Sequence, residues 1–415
     1  MSRRVRAYLA EDDDVWFQLA LLAAEYSAVN LGLGFPDFAP PDFVKEAFCK
    51  ALNGGAMMHQ YTRSTGQRSL VKSLAKFFSR MTGREIDPLE DVVVTVGAYH
   101  ALFCAFQALV DEGDEVIIVE PFFDCYQSMA HLCGGKSVNV PLRPKAGGCA
   151  NRSGDWVLDP EELESKFTSR TKAIVINNPN NPLGKVYTRE ELQMIADLCI
   201  KYEAICISDE VYEWLTYDGV QHVRIATLPG MWERTVTIGS AGKSFSATGW
   251  KVGWAISPGN ITKLLKAVQQ ISISECATAA QEAVAQGFER EYEVFGTPES
   301  YFLQLPALLK NKRDKLASTL EQLGLKPILP QGGYFIIVDI SCFNVELGDS
   351  GTENDPYDLR FVKWLIKEKG LSAIPVSLFY SRDHKKDFDK YIRLCFIKED
   401  STLEAAQDIL KRFNP

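Results

Sequence analysis

The sequence of 415 residues has no apolar run long enough to cross a membrane and no excess of positive charge. A spanning helix needs roughly 20 predominantly apolar residues, and the run over residues 19–24 ends at Glu25. Asp and Glu number 54 against 45 for Lys and Arg, which gives a net charge of −9. Binding to nucleic acid or to an anionic membrane depends on dense Lys and Arg. We therefore expect neither partner.

The sequence also lacks the cysteine spacings of a metal site or a redox pair, because its ten cysteines include no C-x2-C or C-x4-C pair. Cys104, Cys206 and Cys395 lie within apolar segments, as small buried thiols do in a reducing compartment. The opening MSRRVRAYLAEDDD has neither the apolar core of a signal peptide nor the acid-poor composition of a transit peptide. We expect a cytoplasmic protein without a metal centre; a mitochondrial form would need an upstream targeting extension.

Two glycine-rich motifs are incomplete. Residues 242–244 end like a phosphate-binding P-loop, but Thr237 stands where the first glycine of that motif belongs. Residues 32–34 begin like a dinucleotide fingerprint, but Asp37 occupies the third glycine position and Pro36 opposes the helix that must follow. The sequence therefore predicts neither a P-loop nor a dinucleotide-binding fold.

Short apolar runs alternate with helix-period segments through the middle of the chain. The runs predict strands over residues 92–96, 116–120, 173–177, 204–208 and 235–238. Thr188 with Glu191 has the spacing of a capping box, and Asp159-Pro160 has the pattern of a second helix start. Buried strands that alternate with helices are typical of an α/β fold with a mostly parallel sheet between helices.

The order of predicted helices and strands changes near residue 305. A charged helix is predicted over residues 308–323, followed by strands over 334–340, 371–376 and 391–396 and a polar loop over 344–355. We expect three parts: an N-terminal segment (1–40) that packs with the small domain, a large domain (41–304) and a small α+β domain (305–415).

Lys243 stands out within residues 235–254, a stretch that holds two lysines and no acid. A lysine is ordinarily a solvated surface charge. This one follows a buried-type strand inside a turn of small residues, without a carboxylate nearby in the sequence. A desolvated, cation-rich pocket favours the neutral amine, which suits Schiff-base chemistry. Ser240, Ser244 and Lys251 would be available to hold a phosphate, so the pattern leaves both interpretations open.

Polar residues follow two of the predicted strands, at the sheet edge where open α/β folds bind ligands. Residues 177–184 are rich in Asn, Pro and Gly, and Asp209 and Tyr212 come at the end of the next strand. A buried Asp209 would need a partner such as a protonated ring nitrogen, and Tyr212 could reach the same ligand. The alternatives are an ordinary turn and a helix N-cap.

Three other features allow a functional and an ordinary interpretation. Residues 96–101 form a strand–turn–helix whose backbone N–H groups could bind a phosphate. Phe122 or Phe123 could stack on a flat cofactor or belong to the core. Arg393 alternates with apolar neighbours; it is either an edge-strand arginine facing water or a planar fork for a substrate carboxylate.

In this order, the motifs Asn181-Pro182-x-Gly184, Ser208-Asp209-Glu210-x-Tyr212, Ser240-x-x-Lys243 and Arg393 resemble those of the fold-type I pyridoxal-phosphate aminotransferases. Segments such as NLGLGFPDFAPPDFV, LVDEGDEVIIVEPFFDCY and SDEVYEWL are similar to the kynurenine aminotransferases, also called glutamine transaminase K or cysteine-S-conjugate β-lyase. The resemblance covers essentially the whole chain. It implies transamination of kynurenine, glutamine and related amino acids with 2-oxo acids, and it allows a β-lyase side activity.

The resemblance assigns the cofactor, pyridoxal 5'-phosphate, to particular positions. Lys243 matches the Schiff-base lysine, and Asp209 matches the carboxylate that pairs with the pyridinium nitrogen. Asn181 and Tyr212 match the donors to the phenolic oxygen, and Phe123 matches the ring stacked on the pyridine. The remaining matches form the phosphate site: Ala98, Tyr99, Ser240 and Lys251.

The resemblance also assigns substrate contacts. Gly34 and Arg393 match the site of the substrate carboxylate, with Asn181 beside it, and Trp16 matches an aromatic residue of the side-chain pocket. Tyr61 matches a residue that reaches in from a second subunit, which implies a homodimer with shared active sites. The chain departs from some family members at residues 274–276, where Ser-Glu-Cys replaces an aromatic–His pair before a cysteine. Bulky aromatic substrates need not be held in the same way here.

Two other functions are alternatives to a transaminase. A dedicated β-lyase of the same fold would turn over without a 2-oxo acid. A cofactor-binding regulator would need a DNA-binding module, but every segment is accounted for by the enzyme-like domains and the charge is acidic.

Overall fold

The computed structural model describes residues 15–145, 147, 150–343, 345–348, 350–352 and 354–412. The predicted loop over residues 344–355 therefore lies partly outside the described residues. The strands are β1 Val29–Asn30, β2 Val92–Val96, β3 Glu115–Glu120, β4 Lys136–Pro141, β5 Arg143–Pro144, β6 Trp156–Val157, β7 Thr171–Asn177, β8 Ile205–Asp209, β9 Thr235–Ser240, β10 Val252–Ile256, β11 Lys326–Ile328, β12 Phe335–Asp339, β13 Leu371–Ser372, β14 Ile374–Pro375 and β15 Tyr391–Cys395. The helices are α1 Val15–Glu25, α2 Asp42–Leu52, α3 Arg68–Thr82, α4 Gly97–Leu109, α5 Cys125–Cys133, α6 Pro160–Ser165, α7 Arg189–Lys201, α8 Ala241–Ser244, α9 Gly259–Ile273, α10 Thr278–Val294, α11 Tyr301–Gln322, α12 Tyr357–Trp364, α13 Lys385–Phe388 and α14 Asp400–Lys411.

The large sheet has the strand order β2-β10-β9-β8-β7-β3-β4. The neighbours from β9 to β4 are parallel, and β10 runs antiparallel to both β2 and β9. Along β3, Val116 and Ile118 face one apolar cluster while Ile117 and Val119 face the other. Both faces are covered, so these strands read as continuous apolar runs rather than alternating ones. The predicted mostly parallel sheet is confirmed.

The second sheet, in the order β11-β12-β15-β14, is antiparallel. The strand predicted over residues 371–376 is wrong in detail: it is two short strands on either side of Ala373, because β13 pairs with β1 and β14 pairs with β15. The pairing of β1 with β13 brings the N-terminal segment to the C-terminal part of the chain. The domain boundaries at residues 40 and 304 stay a prediction.

The helix starts follow the side-chain chemistry of the sequence. Thr188 and Glu191 form the predicted capping box at α7, and Asp159 accepts a hydrogen bond from the Glu162 amide at 2.8 Å to begin α6. Helix α11 begins at Tyr301, seven residues before the predicted start, although Pro306 lies inside it. Pro306 is the sixth residue of this helix, beyond the first turn whose N–H groups need no partner, so one backbone hydrogen bond of the helix is missing there.

Helix α2 begins at Asp42, directly after Pro41, and ends at Leu52. Val44, Ala47 and Ala51 of this helix are buried, whereas Phe43 and Phe48 are only partly buried against the neighbouring core. No helix in the part of the chain that the structure describes is both long and apolar enough to span a bilayer.

Candidate active site

Polar side chains collect where the central parallel strands end. Asn177 at the end of β7 pairs with Asp209 at the end of β8, and Asp209 pairs with Ile238 of β9, which continues to Ser240. Lys251 lies at the same edge because β10 is antiparallel and begins directly after it. The carboxyl ends of parallel strands share one edge, which is where ligands bind in open α/β sheets.

These residues line one cavity of about 250 Å³, called the site cavity below. Ser244, which the sequence also offered for a phosphate, is buried outside this cavity. The walls include all but one of the residues that the resemblance assigns to cofactor or substrate: Trp16, Gly34, Ala98, Tyr99, Phe123, Asn181, Asp209, Tyr212, Ser240, Lys243, Lys251 and Arg393. Tyr61 does not line it, and its side chain is 86% exposed. The structure thus gathers residues that lie up to 377 positions apart in the sequence, counted from Trp16 to Arg393.

The amine of Lys243 lies inside the site cavity. Its Nζ atom donates hydrogen bonds to the Tyr334 hydroxyl at 2.5 Å and to the Gly34 carbonyl at 3.2 Å. Burial, reinforced by the nearby cations Arg393 and Lys251, lowers the pKa of Lys243 to about 8. The ordinary interpretation of this lysine as a solvated surface charge is therefore wrong. An amine with this pKa is partly neutral near physiological pH and can act as a nucleophile or a base.

Asp209 is buried, with 4% of its surface exposed. Its carboxylate accepts hydrogen bonds from the Tyr126 hydroxyl at 2.6 Å and from the Val211 amide at 3.3 Å. Burial raises the pKa of Asp209 to about 6, although both hydrogen bonds favour the ionised form. Both of these donors are neutral, so neither compensates the negative charge of the buried carboxylate. A cationic ligand group in the cavity would supply that compensation.

Asn181 is held in place by the end of β7. Its backbone amide donates to the Asn177 side-chain oxygen at 2.6 Å, and the Asn177 amide group donates to the Asp209 carbonyl at 3.0 Å. The Asn181 side-chain oxygen accepts a hydrogen bond from Arg393 Nη1 at 2.8 Å. The segment after β7 is thus more than a turn. Its Asn177 side chain contacts the backbone of Asp209, and its Asn181 side chain contacts the guanidinium of Arg393.

Arg393 is buried on an internal strand of the small sheet, with 2% of its surface exposed. The interpretation as an edge-strand arginine facing water is therefore wrong. Besides Asn181, the guanidinium donates to the Gly32 carbonyl at 2.9 Å, and it lies 3.9 Å from the centre of the Phe335 ring. Burial lowers the pKa of Arg393 to about 10. The described residues place no carboxylate in ion-pair contact with it, and its Nε atom is buried without a partner.

A buried guanidinium without a carboxylate partner is costly, and it is normally retained for an anion. The planar fork suits a carboxylate, which can accept two parallel hydrogen bonds. Arg393 is therefore the strongest electrostatic indication of an anionic ligand at this end of the site cavity.

A second cationic corner forms at the start of α4. Gly97 has a φ of +72°, and a side chain added there would approach Lys251 Nζ to 3.2 Å. A side chain on Gly253 would collide with the Gly97 carbonyl carbon at 2.3 Å. The absence of both side chains lets the ammonium group and the N–H groups of Ala98 and Tyr99 share one corner with Ser240. This arrangement favours a phosphate, because a helix N-terminus attracts anions.

Aromatic rings complete the walls. Phe122 is buried in the core with 3% of its surface exposed, whereas Phe123 faces the site cavity between Tyr99 and Tyr126. On the opposite side, Phe335 and Tyr212 contact each other and Trp16 stands beside Arg393. Flat walls of this kind suit a planar heteroaromatic ligand.

Tyr126, Tyr334 and Phe335 also contact the site residues, and none of them was predicted from the sequence. Tyr126 follows Phe123 by three residues, and a buried Asp209 needed a donor, so the FFDCY segment contained a usable signal. Tyr334 and Phe335 carried no local signal, because only the packing of β12 brings them to Lys243 and Arg393.

Two other groups of residues lie outside the site cavity. Ser274 is exposed at the end of α9 with a φ of +64°, and Cys276 is buried, so the segment 274–276 does not contact the site cavity in one chain. Glu210, Glu213 and His222 come within 4.8 Å of one another. The guanidinium of Arg224 contacts Glu213 and lies 3.9 Å from Glu210, so this cluster already holds a cation.

A family model for aminotransferase class I and II matches residues 26–409. The chain is 58% identical over 410 residues to kynurenine–oxoglutarate transaminase 1 of Mus musculus, which covers 98% of this chain and 97% of that relative. It is 55% identical over 406 residues to kynurenine–oxoglutarate transaminase 3 of Bos taurus, with coverage of 97% and 89%.

Solved structures are also similar. Bna3p of Saccharomyces cerevisiae superposes with a TM-score of 0.91 at 36% identity, over 98% of this chain and 97% of that one. N-succinyldiaminopimelate aminotransferase of Mycobacterium tuberculosis superposes with a TM-score of 0.87 at 34% identity, over 99% of each chain.

Proposed function

Because the chain belongs to the class I and class II aminotransferase family, we propose that it transfers the amino group of kynurenine, glutamine and related amino acids to 2-oxo acids, with pyridoxal 5'-phosphate as cofactor. The membership confirms the resemblance and the fold class expected from the sequence. The single observation that carries the proposal is the content of one cavity. It combines a buried Arg393 without a carboxylate, the low-pKa amine of Lys243 and the buried acid Asp209.

The residues present fit this cofactor. The corner of Ala98, Tyr99, Ser240 and Lys251 would take its phosphate, and Phe123 would form one wall for its ring. Asp209, which hydrogen-bonds to neutral groups on the protein side, would face the protonated ring nitrogen. When bound, pyridoxal phosphate supplies an electron-accepting ring that stabilises negative charge at the substrate Cα.

The chain's own groups would then bind and move protons. Arg393 would bind the substrate α-carboxylate, helped by Asn181 and the backbone at Gly34. Lys243 Nζ, which we assign as the amine that would hold the cofactor as a Schiff base, would also accept the proton from the substrate Cα. Tyr334 and the Gly34 carbonyl hold that Nζ atom on the cavity side. Tyr212 and Asn181 would donate hydrogen bonds to the phenolic oxygen of the cofactor.

The substrate assignment draws on two sources. The names of the Mus musculus and Bos taurus relatives favour kynurenine as amino donor and oxoglutarate as acceptor. Glutamine and cysteine S-conjugates are proposed as substrates because the sequence motifs resemble those of the kynurenine aminotransferases. A good leaving group at Cβ could be eliminated with the same Lys243 and Asp209, so a β-lyase side activity would need no additional residue. A requirement for a 2-oxo acid in each turnover would distinguish the transaminase from a dedicated lyase.

We also propose a cytoplasmic homodimer. Tyr61 and Ile271 are 86% and 87% exposed, and Met57 is 68% exposed, which is unusual for apolar side chains of this size. A second subunit that packed against these side chains would cover them, and Tyr61 of each subunit would then lie at the active site of the other subunit. Buried cysteines without a disulfide agree with a reducing compartment, and the described core contains several of them, among them Cys104, Cys125, Cys199, Cys206, Cys276 and Cys395. Light scattering at several protein concentrations tests the dimer.

The decisive experiment uses Lys243→Ala. The wild type, loaded with pyridoxal phosphate, should change its absorbance on addition of kynurenine or glutamine. After borohydride reduction it should carry the cofactor on the peptide that contains Lys243. The variant should lose this covalent label and on the order of 10³-fold or more in turnover.

Lys172→Ala is the matched control, because Lys172 is an exposed lysine on β7 outside the site cavity. It should behave like the wild type. The assignment would be contradicted by full turnover in Lys243→Ala. It would also be contradicted if the wild type showed no absorbance from bound cofactor after pyridoxal phosphate was added.

A further inference from the structure

The hydroxyl of Tyr334 lies against the amine of Lys243, although the resemblance assigns no role to this tyrosine. The side chain is buried, with 1% of its surface exposed. Its oxygen accepts a hydrogen bond from Lys243 Nζ at 2.5 Å, and its O–H donates to the Gly34 carbonyl at 2.8 Å. Since Nζ also donates to that carbonyl at 3.2 Å, the three groups form a closed hydrogen-bonded triangle.

Packing fixes two corners of this triangle. The backbone carbonyl of Tyr334 accepts a hydrogen bond from the Phe396 amide at 3.0 Å, and its ring packs edge-on against Tyr212 with the centroids 5.1 Å apart. At Gly34, an added side chain would come within 2.6 Å of the Phe335 ring, so the absence of a side chain lets this carbonyl approach the amine. The hydroxyl and the carbonyl are therefore acceptors with fixed positions.

The triangle determines the orientation of the amine. A neutral amine on a carbon chain has two N–H bonds and one lone pair. Its two N–H bonds point at Tyr334 and Gly34, and Nζ makes no third hydrogen bond within the described residues. The lone pair then takes the remaining direction, toward the site cavity that Lys243 lines. An ammonium group has three donors, so after gaining a proton the group would keep both hydrogen bonds and carry the new N–H toward the site cavity.

A neutral acceptor suits an amine that must both gain and lose a proton. Burial raises the pKa of Tyr334 well above its ordinary value, so the phenol keeps its proton. A carboxylate in the same place would favour the charged amine instead. Burial is also the main cause of the low pKa of the amine, and the cations Arg393 and Lys251 reinforce it, whereas Asp209 and Cys395 act in the opposite direction. Tyr334 adds a hydrogen bond to this balance without adding a charge.

We propose that Tyr334 is a positioning residue for proton transfer: with the Gly34 carbonyl, its hydroxyl points the lone pair of Lys243 Nζ at the substrate Cα and stabilises the ammonium that forms. The inference rests on the proposed function, which supplies the substrate. The proton passes from Cα to Nζ, and the electron pair of the broken C–H bond stays on the substrate carbon. Tyr334 itself neither gains nor loses a proton. Removal of its hydroxyl should therefore slow proton transfer more than it weakens substrate binding.

The test compares Tyr334→Phe, which removes the hydroxyl and keeps the ring, with a matched control. Tyr187→Phe is that control, because Tyr187 is also 1% exposed and its hydroxyl has no hydrogen-bond partner within the described part of the chain. Thermal melts of both variants establish that they are folded.

The first measurement needs no transaminase activity. It follows the titration of the Lys243 amine by NMR in cofactor-free protein that contains isotope-labelled lysine, and the signal that disappears in Lys243→Ala identifies this amine. A charged amine donates a stronger hydrogen bond than a neutral one. Tyr334→Phe should therefore lower the midpoint of the titration by about one pH unit, and Tyr187→Phe should leave it unchanged.

The second measurement uses the cofactor-loaded enzyme with an amino acid that carries hydrogen or deuterium at Cα. Tyr334→Phe should lower kcat by about 10- to 100-fold and keep KM within about threefold, because the base is misplaced while Arg393 still binds the substrate. The deuterium isotope effect should be at least as large as in the wild type, since proton transfer would then limit the rate. Tyr187→Phe should match the wild type in all three quantities.

Two results would overturn the proposal in Tyr334→Phe: an unchanged titration midpoint, or a kcat within about threefold of the wild type. A loss confined to KM would overturn it as well, since the hydroxyl would then act on substrate binding. If the wild type transaminated no amino acid, the proposed function would fail, and the titration would still decide whether Tyr334 holds the amine.

A crystal structure gives a further check that does not depend on a variant. Wild-type enzyme loaded with pyridoxamine 5'-phosphate, which is itself an amine, leaves Lys243 free. Its Nζ atom should lie within hydrogen-bond distance of both the Tyr334 hydroxyl and the Gly34 carbonyl. An Nζ atom turned away from Tyr334 would overturn the proposal even if Tyr334→Phe did not fold.

Discussion

Replacing Arg393 by leucine tests the electrostatic basis of the site. The guanidinium has five N–H donors. One goes to Asn181 at 2.8 Å and one to Gly32 at 2.9 Å, while the Nε atom is buried without a partner. A carboxylate on the fork would therefore accept two charge-assisted hydrogen bonds from unused donors, each worth about 1.5 to 3 kcal/mol. Arg393→Leu should lose both.

The sum is about 3 to 6 kcal/mol, which corresponds to a fall of roughly 10²- to 10⁴-fold in kcat/KM for an amino acid. Arg393→Lys keeps a positive charge but not the planar fork, so its loss should be smaller, about 10- to 100-fold. The assay follows the absorbance of the cofactor during a single half-reaction. Arg189→Leu, an exposed arginine on α7 outside the site cavity, is the matched control and should keep wild-type kinetics.

A second comparison changes the substrate as well as the enzyme, as in a double-mutant cycle. An amine of the same side chain that lacks the α-carboxylate should react slowly in the wild type and equally slowly in Arg393→Leu. If the substitution slowed the amine as much as the amino acid, or if it slowed the amino acid less than about threefold, then Arg393 would not bind the carboxylate.

Three other predictions concern stability and cofactor binding. In the cofactor-free protein burial raises the pKa of Asp209 to about 6 from its ordinary value of 3.8, so the native state binds more protons than the unfolded state and this group should lower the stability by about 3 kcal/mol as the pH rises from about 4 to about 6. Burial also raises the pKa values of Glu213 and Asp358 to about 7, so thermal melts should show a fall in both proteins that is about 3 kcal/mol larger in the wild type than in Asp209→Asn, and Tyr126→Phe should move the Asp209 contribution to higher pH by removing the hydroxyl that favours the ionised form. Gly253→Ala places a Cβ against the Gly97 carbonyl carbon, so equilibrium titration should show weaker binding of pyridoxal phosphate, and unchanged affinity would contradict the assigned phosphate corner. Thr188→Ala removes the α7 cap and should cost about 1 kcal/mol in urea unfolding; no change would mean that the cap is energetically silent.

Much of the fold could be predicted from local sequence. The runs that become β2, β3, β7, β8 and β9 are continuous apolar segments because both faces of the sheet are covered. The starts of α6 and α7 follow from side chains three residues apart, which satisfy N–H groups of the first helical turn. The exceptions, such as the early start of α11 and the break in the strand over residues 371–376, lie where pairing with distant segments decides.

The sequence by itself determined which residues could carry the chemistry. Lys243 and Asp209 follow buried strands, and the end of a strand is a local property of the chain. Their pKa values of about 8 and about 6 come from burial, which the sequence does not contain.

Only the tertiary structure decided the partners of these residues. Tyr126 reaches Asp209 across 83 positions and Tyr334 reaches Lys243 across 91, and Arg393 is buried because β15 lies between β12 and β14. Such contacts depend on how sheets and helices pack, and no periodicity or spacing in one segment encodes the position of another. The sequence therefore determined the reactive groups, whereas packing decided their charge state, their hydrogen bonds and the shape of the site cavity.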